Sequence, residues 1–145
     1  MKLISALLSA TLCLFLLNSC QSYGKEYKLD GKHNVYYKEG VDEATAKKLA
    51  HYLKEQQYFQ DDINATVQIV KNKDTFVLNF VVDRAKLDAS KEKAFSLFGG
   101  FISEEVFNKA PVVINLTDDH LKPFKNLGHS KPADPNSLDT INTEK

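Results

Sequence analysis

The chain has 145 residues, with 19 Lys+Arg against 19 Asp+Glu, 43% hydrophobic residues, two Cys and no Trp. That length suits one packed domain, and the zero net charge excludes a basic nucleic-acid footprint and a polybasic membrane patch. Arg84 is the single arginine, so the planar fork that suits phosphate and guanine recognition is nearly absent.

The apolar residues are concentrated at the start. Met1 and Lys2 precede an uncharged run from Leu3 to Leu17. It is shorter than the roughly 20 residues of a bilayer-spanning helix and suits the h-region of a signal peptide. The run meets Leu17-Asn18-Ser19-Cys20, which resembles the lipobox of bacterial lipoproteins, with Leu17 three positions before the cysteine and small Ser19 beside it. The resemblance implies diacylglycerol on the Cys20 thiol, cleavage between Ser19 and Cys20, and acylation of the new amino group. Two or three acyl chains, at about 0.8 kcal/mol per buried methylene, make such an anchor stable. It further implies a cell-envelope location. Gln21 stands where Asp would retain a lipoprotein in the inner membrane, so the outer membrane is expected.

Cleavage would remove Lys2 and Cys13, leaving the acidic residues one in excess and Cys20 blocked by lipid. A thiol nucleophile, a redox pair and a Cys-based zinc site are then excluded, and the domain depends on its apolar core. The organisation expected is a signal peptide over 1–19, the lipidated Cys20 and a tether over 20–33, an α+β domain over 34–127, and a disordered tail over 128–145. Gln21 to Lys32 is polar and broken by Gly24 and Gly31, and the tail holds Pro132, Pro135 and little that packs.

Inside the domain the hydrophobic period changes repeatedly. Val35-Tyr36-Tyr37 is a short strand closed by Gly40. Asp42 is placed to cap a helix over Glu43 to Gln57, with Val41 as its staple against Ala46, and Ala46, Leu49, Ala50 and Leu53 form the apolar stripe. Thr66 to Lys71 and Thr75 to Asp83 alternate around the polar turn Asn72-Lys73-Asp74 and predict a hairpin. A second helix over Ser90 to Asn108 carries Ala94, Phe95, Phe98, Ile102 and Val106 on one side. Gly99-Gly100 in its middle predicts a kink, two shorter pieces, or the wall of a ligand cavity. Pro111 opens a strand over Val112 to Thr117, and Leu121 to Leu127 adds a short edge segment. The order strand, helix, strand, strand, helix, strand is that of a ferredoxin-like split βαβ sandwich. Both helices cover one face of an antiparallel sheet whose first and third strands are central.

A second resemblance runs along this stretch. Tyr36-Tyr37-Lys38-Glu39-Gly40-Val41, then Ala46, Leu49, Tyr52-Leu53 and Tyr58-Phe59, precede Val67-Gln68-Ile69 and Phe80-Val81-Val82. Leu116-Thr117-Asp118-Asp119 and Leu121-Lys122-Pro123 follow. Together they resemble a small uncharacterised family of membrane-anchored bacterial proteins over Val35 to Leu127, which implies a fold and a membrane association and no activity.

Catalytic motifs are sparse. His33, His51, His120 and His129 form no HxH or HExxH pair, and no GxSxG elbow, P-loop or dinucleotide fingerprint occurs. Asp118-Asp119-His120 is the best cluster for metal or hydrolytic chemistry, although a solvated turn accounts for it, as it does for Asp61-Asp62. No cofactor is expected. If the large apolar strand residues face the helices, alternation sends Gln68, Val70, Val77, Asn79, Val81, Val113 and Asn115 to the other side of the sheet. That uncharged mixture of valines and amides suits a protein partner or a homodimer. The expectation is a non-enzymatic, membrane-anchored interaction module that binds no nucleic acid.

Overall fold

The computed structural model describes residues 23–130. The expected signal peptide, the expected lipobox with Ser19 and Cys20, Gln21, and residues 131–145 of the expected tail lie outside the described residues.

Within them the chain is α+β. Strands β1 (Lys25–Lys28) and β2 (His33–Tyr37) lead to helix α1 (Glu43–Glu55), and the hairpin of β3 (Ala65–Asn72) and β4 (Thr75–Val81) follows. A single 3-10 turn (Arg84–Lys86), helix α2 (Ala89–Glu105), and strands β5 (Val112–Thr117) and β6 (Pro123–Ser130) complete it. Each helix begins where a short acidic side chain satisfies a free amide. Asp42 accepts from the Thr45 N–H at 2.7 Å, and Asp88 accepts from the Lys91 N–H at 2.9 Å. Helix α1 ends in the left-handed residue Gln57 (φ 59°), and the segment after α2 turns through Asn108 and Lys109 at φ 52° and 67°.

The six strands lie in sequential order, β1-β2-β3-β4-β5-β6. β2 and β3 are parallel across α1, β4 and β5 are parallel across α2, and the other three pairs are antiparallel. The ferredoxin-like expectation is therefore corrected in both strand order and strand number. Its physical basis was the right hand of strand-helix-strand crossovers, which holds in about 98% of cases. Here both helices cover the same face. Tyr37 on β2 hydrogen-bonds Glu43 of α1, the α1 and α2 rings of Tyr52 and Phe98 stack at 6.1 Å, and Lys48 Nζ donates to Val106 O at 3.1 Å. The two crossovers step in the same direction across the sheet along strands that run oppositely. With both helices on one face, the crossovers must have opposite hands.

Two sequence expectations at the ends are also corrected. From Lys25 the expected tether is an edge strand, paired Lys25↔Tyr37 through Lys28↔Asn34. Only Tyr27 in it is apolar and packs on the core, so hydrophobic alternation gave no signal. The edge segment expected over Leu121 to Leu127 is a full strand to Ser130. Its register shifts against β5 break the period of two.

The core lies between the sheet and the helices and includes Val35, Leu49, Leu53, Val67, Ile69, Leu78, Phe80, Ile102, Ile114 and Leu116. Helix α2 runs unbroken through Gly99-Gly100, so the expected division into two pieces is absent. No cavity is held open there either. A Cβ at Gly99 would lie 2.8 Å from Ile114 Cγ1 and 2.9 Å from Ser130 Cβ, so the glycine lets the helix backbone settle directly on β5 and β6.

Candidate functional site

The side of the sheet away from the helices is left without a covering layer by the described elements. Register sets its residues in rows. Gln68 lies beside Asn79 and Asn79 beside Asn115, while Val70 lies beside Val77 and Val77 beside Val113. Val81 pairs with Thr117 on the same side. All seven residues assigned to this face by alternation are thus brought together.

The amides form a chain of hydrogen bonds across the sheet. Asn79 Nδ2 donates to Gln68 Oε1 at 2.7 Å, Asn115 Nδ2 to Asn79 Oδ1 at 2.9 Å, and Asn126 Nδ2 to Asn115 Oδ1 at 2.7 Å. At one end Gln68 Nε2 donates to the Tyr23 carbonyl at 2.8 Å, and at the other the Gly128 N–H donates to Asn126 Oδ1 at 2.8 Å. Every bond points the same way, so each amide uses one donor and one acceptor in the chain. Gln68 and Asn79 are only 4% and 7% exposed, Asn115 is half-buried and Asn126 is exposed. The four valines beside this ladder are half-buried. Tyr23 escaped the sequence reading because it falls in the expected tether, and Asn126 because the short edge segment that holds it was assigned to neither face of the sheet.

The acidic cluster lies elsewhere, in the turn between β5 and β6. Asp118 Oδ1 accepts the N–H groups of His120 (3.0 Å) and Lys122 (2.9 Å), so this oxygen is committed to shaping the turn. Asp119 and His120 have side chains 83% and 75% exposed, with 3.7 Å between Asp119 Oδ1 and His120 Nε2. Among the described residues no group of three or more His, Cys, Asp or Glu side chains is placed to hold a metal ion. Asp118 and Asp119 border a cleft of about 800 Å³ at this end of the sheet, walled by Tyr58, Ile63, Val82 and Phe124. Arg84 enters it with its guanidinium carbon 5.2 Å from the centroid of the Phe124 ring. Burial pushes the Tyr58 phenol well above its ordinary pKa.

A model of the N-terminal domain of an uncharacterised protein family matches residues 28–129, more than half of the chain. The chain belongs to that family. The match spans β2 to β6, so the family domain includes all of the amide ladder except its Tyr23 end. No curated protein and no solved structure matches the chain. Among the described residues no helix is long and apolar enough to cross a membrane.

The family domain also contains a buried polar node that the sequence reading passed over. His33, 1% exposed, stacks on Phe59 with ring centroids 4.8 Å apart. Its Nδ1 lies 2.7 Å from Asp30 Oδ2, and its Nε2 lies 2.8 Å from Gln60 O and 3.0 Å from Ile63 O. Asp30 Oδ1 also accepts the N–H groups of Lys32 and His33. The His33 ring, followed by the Lys32 amide, holds the Asp30 carboxyl down at a pKa of about 2. Lys54 extends the node by pairing with Asp61 and approaching Asp30 at 4.0 Å. The node ties the β1–β2 loop to the α1–β3 loop, which is a structural task. The sequence trace of it is the spacing Asp30-x-x-His33 around Gly31.

Proposed function

We propose that this chain is a lipid-anchored, non-catalytic protein of the bacterial cell envelope, acylated at Cys20, whose domain binds through the open sheet face. One observation carries the binding reading. Both helices pack on the same side, leaving on the other a continuous uncharged surface of Val70, Val77, Val81 and Val113 around a hydrogen-bonded amide ladder. An antiparallel-rich sheet can leave one face in water, but that face is then usually polar or charged. Uncharged and tied together by its amide ladder, this one is suited to lie against another macromolecular surface. The anchor is supported by the lipobox Leu17-Asn18-Ser19-Cys20, and the outer membrane by Gln21. The commitment of Asp118 to its own turn supports the absence of catalysis there.

Two arms test this reading. Cys20→Ser should abolish labelling by a palmitate analogue, and persistent labelling would overturn the anchor. The pair Val77→Lys and Val81→Lys puts charge on the face without touching the ladder bonds. In the full chain it should change the pattern of cross-linked products in isolated membranes while the circular-dichroism spectrum stays native. An unchanged pattern rejects the face as a protein-binding surface.

A further inference from the structure

The occupant of the open face follows from where the described chain begins. Tyr23 does not trail away from the edge strand that it precedes. Its carbonyl accepts a hydrogen bond from Gln68 of β3 at 2.8 Å, and its ring lies 5.8 Å from that of Tyr36 on β2. Gln68 and Tyr36 are register partners whose side chains share the open face. Tyr23, where the described residues begin, therefore lies over this face, against side chains of β2 and β3.

Cys20 is three residues before Tyr23. At about 3.3 to 3.6 Å per residue, even a fully extended chain spans no more than about 11 Å between them. The headgroup layer on one side of a bilayer is itself about 5 to 8 Å thick. A lipid on Cys20 leaves no room for a tether, so the surface over which Tyr23 lies is the one held against the membrane. We infer that the open sheet face rests on the headgroup surface of the bilayer carrying the Cys20 anchor, with the helices turned away. This inference rests on the lipid anchor proposed above.

The distribution of charge fits this orientation. The ladder and valine rows of the four central strands carry no charged side chain, and Glu26 and Lys28 lie at the β1 margin, where they pair with each other at 3.6 Å. Little ionic desolvation accompanies approach to a headgroup layer. Tyr23 and Tyr36 supply rings of the kind enriched at membrane interfaces. The helices carry the exposed charges Lys47, Glu55, Lys91 and Lys93, which stay in water when the sheet faces down. The short valines do not reach into hydrocarbon, so the acyl chains provide the affinity and the face determines orientation.

The experiment uses the acylated full chain in vesicles of phosphatidylethanolamine and phosphatidylglycerol. A fluorophore is placed on a single introduced thiol at Val77→Cys or Thr66→Cys on the open face, or at Lys93→Cys on α2. Lipids with nitroxide-labelled headgroups should quench either open-face probe several-fold more than the α2 probe. Equal quenching at both sides, in protein shown to carry the palmitate label, overturns the inference while the anchor stands. Absence of the label defeats the anchor reading itself. Should the open-face probes be shielded in the acylated chain dispersed in detergent, in proportion to protein concentration, the occupant is a second copy and the membrane assignment is wrong.

Discussion

Replacing Asn79 with Leu interrupts the amide ladder at its centre with little change in side-chain volume. The side chain donates to Gln68 Oε1 and accepts from Asn115 Nδ2, so the substitution removes two hydrogen bonds and leaves two groups without their partners. The costs differ on the two sides. Gln68 is 4% exposed, so water has poor access to its abandoned oxygen, whereas half-buried Asn115 can rehydrate. At about 1 to 3 kcal/mol for a buried unsatisfied group and less for one regaining water, Asn79→Leu should lower stability by about 2 to 3 kcal/mol. Asn126→Leu, at the exposed end, should cost less than about 1 kcal/mol. Urea unfolding followed by circular dichroism measures both. A double variant, Gln68→Met with Asn79→Leu, removes both partners of the inner bond and should cost clearly less than the sum of the single changes. Equal losses for Asn79→Leu and Asn126→Leu, or strict additivity in the double variant, would refute the ladder as a coupled unit.

Three further outcomes can be checked. Gly99→Ala brings a methyl group against Ile114 and Ser130. The overpacking should outweigh the roughly 1 kcal/mol gained in helix propensity, lowering the melting temperature by several degrees, with partial recovery in Gly99→Ala/Ser130→Gly; a rise in melting temperature would show that the helix does not rest on the sheet there. Asp30→Asn tests the His33 node through pH. The folded carboxyl titrates near 2, below its ordinary value of 3.8, so its stabilisation is complete above about pH 4 and is lost as pH falls towards 2. The melting-temperature gap between wild type and Asp30→Asn should therefore be steady near neutrality and close over that acid window, and a gap that does not depend on pH contradicts the hydrogen-bonded pair. Calorimetric titration of the chain with zinc or calcium should give no binding heat, and heat that disappears in Asp119→Asn/His120→Ala would restore the metal reading of that turn.

Local chemistry was legible where period and caps agreed. Asp42 marks the start of α1 as expected, and Val112 to Thr117 is a strand with the bounds its alternation predicts. The cap at Asp88 was not read, and α2 runs over Ala89–Glu105 in place of Ser90 to Asn108. Placement of the seven open-face residues follows from the same alternation, since a period of two leaves only two sides on which a strand residue can point. The order of the strands was not legible. Whether a crossover steps to an adjacent position or over a neighbour depends on how whole layers pack, and the hand of one crossover here departs from the general rule. Nor did hydrophobicity reveal the β1 strand, because Lys25, Glu26 and Lys28 pair through their backbones and only Tyr27 turns inward. The ladder lay between these cases. Gln68, Asn79 and Asn115 were legible as neighbours on one face, but their mutual bonding required the register, and Asn126 required a strand that the sequence had left as a short edge piece.

The crossovers of opposite hand also make the chain separable. Residues 23–72 and 75–130 each contain three strands and one helix, and the only strand ladder joining them is β3 with β4. Their covalent link is the two-residue turn Lys73-Asp74, with Lys73 at φ 55°. Opening that turn would expose the edge of β3 on one half and of β4 on the other, each shaped to receive the other's register. Such halves can be exchanged between two chains without altering a single internal contact of either half. The sequential strand order thus divides the domain at a single turn, at Lys73-Asp74, into two halves of similar content.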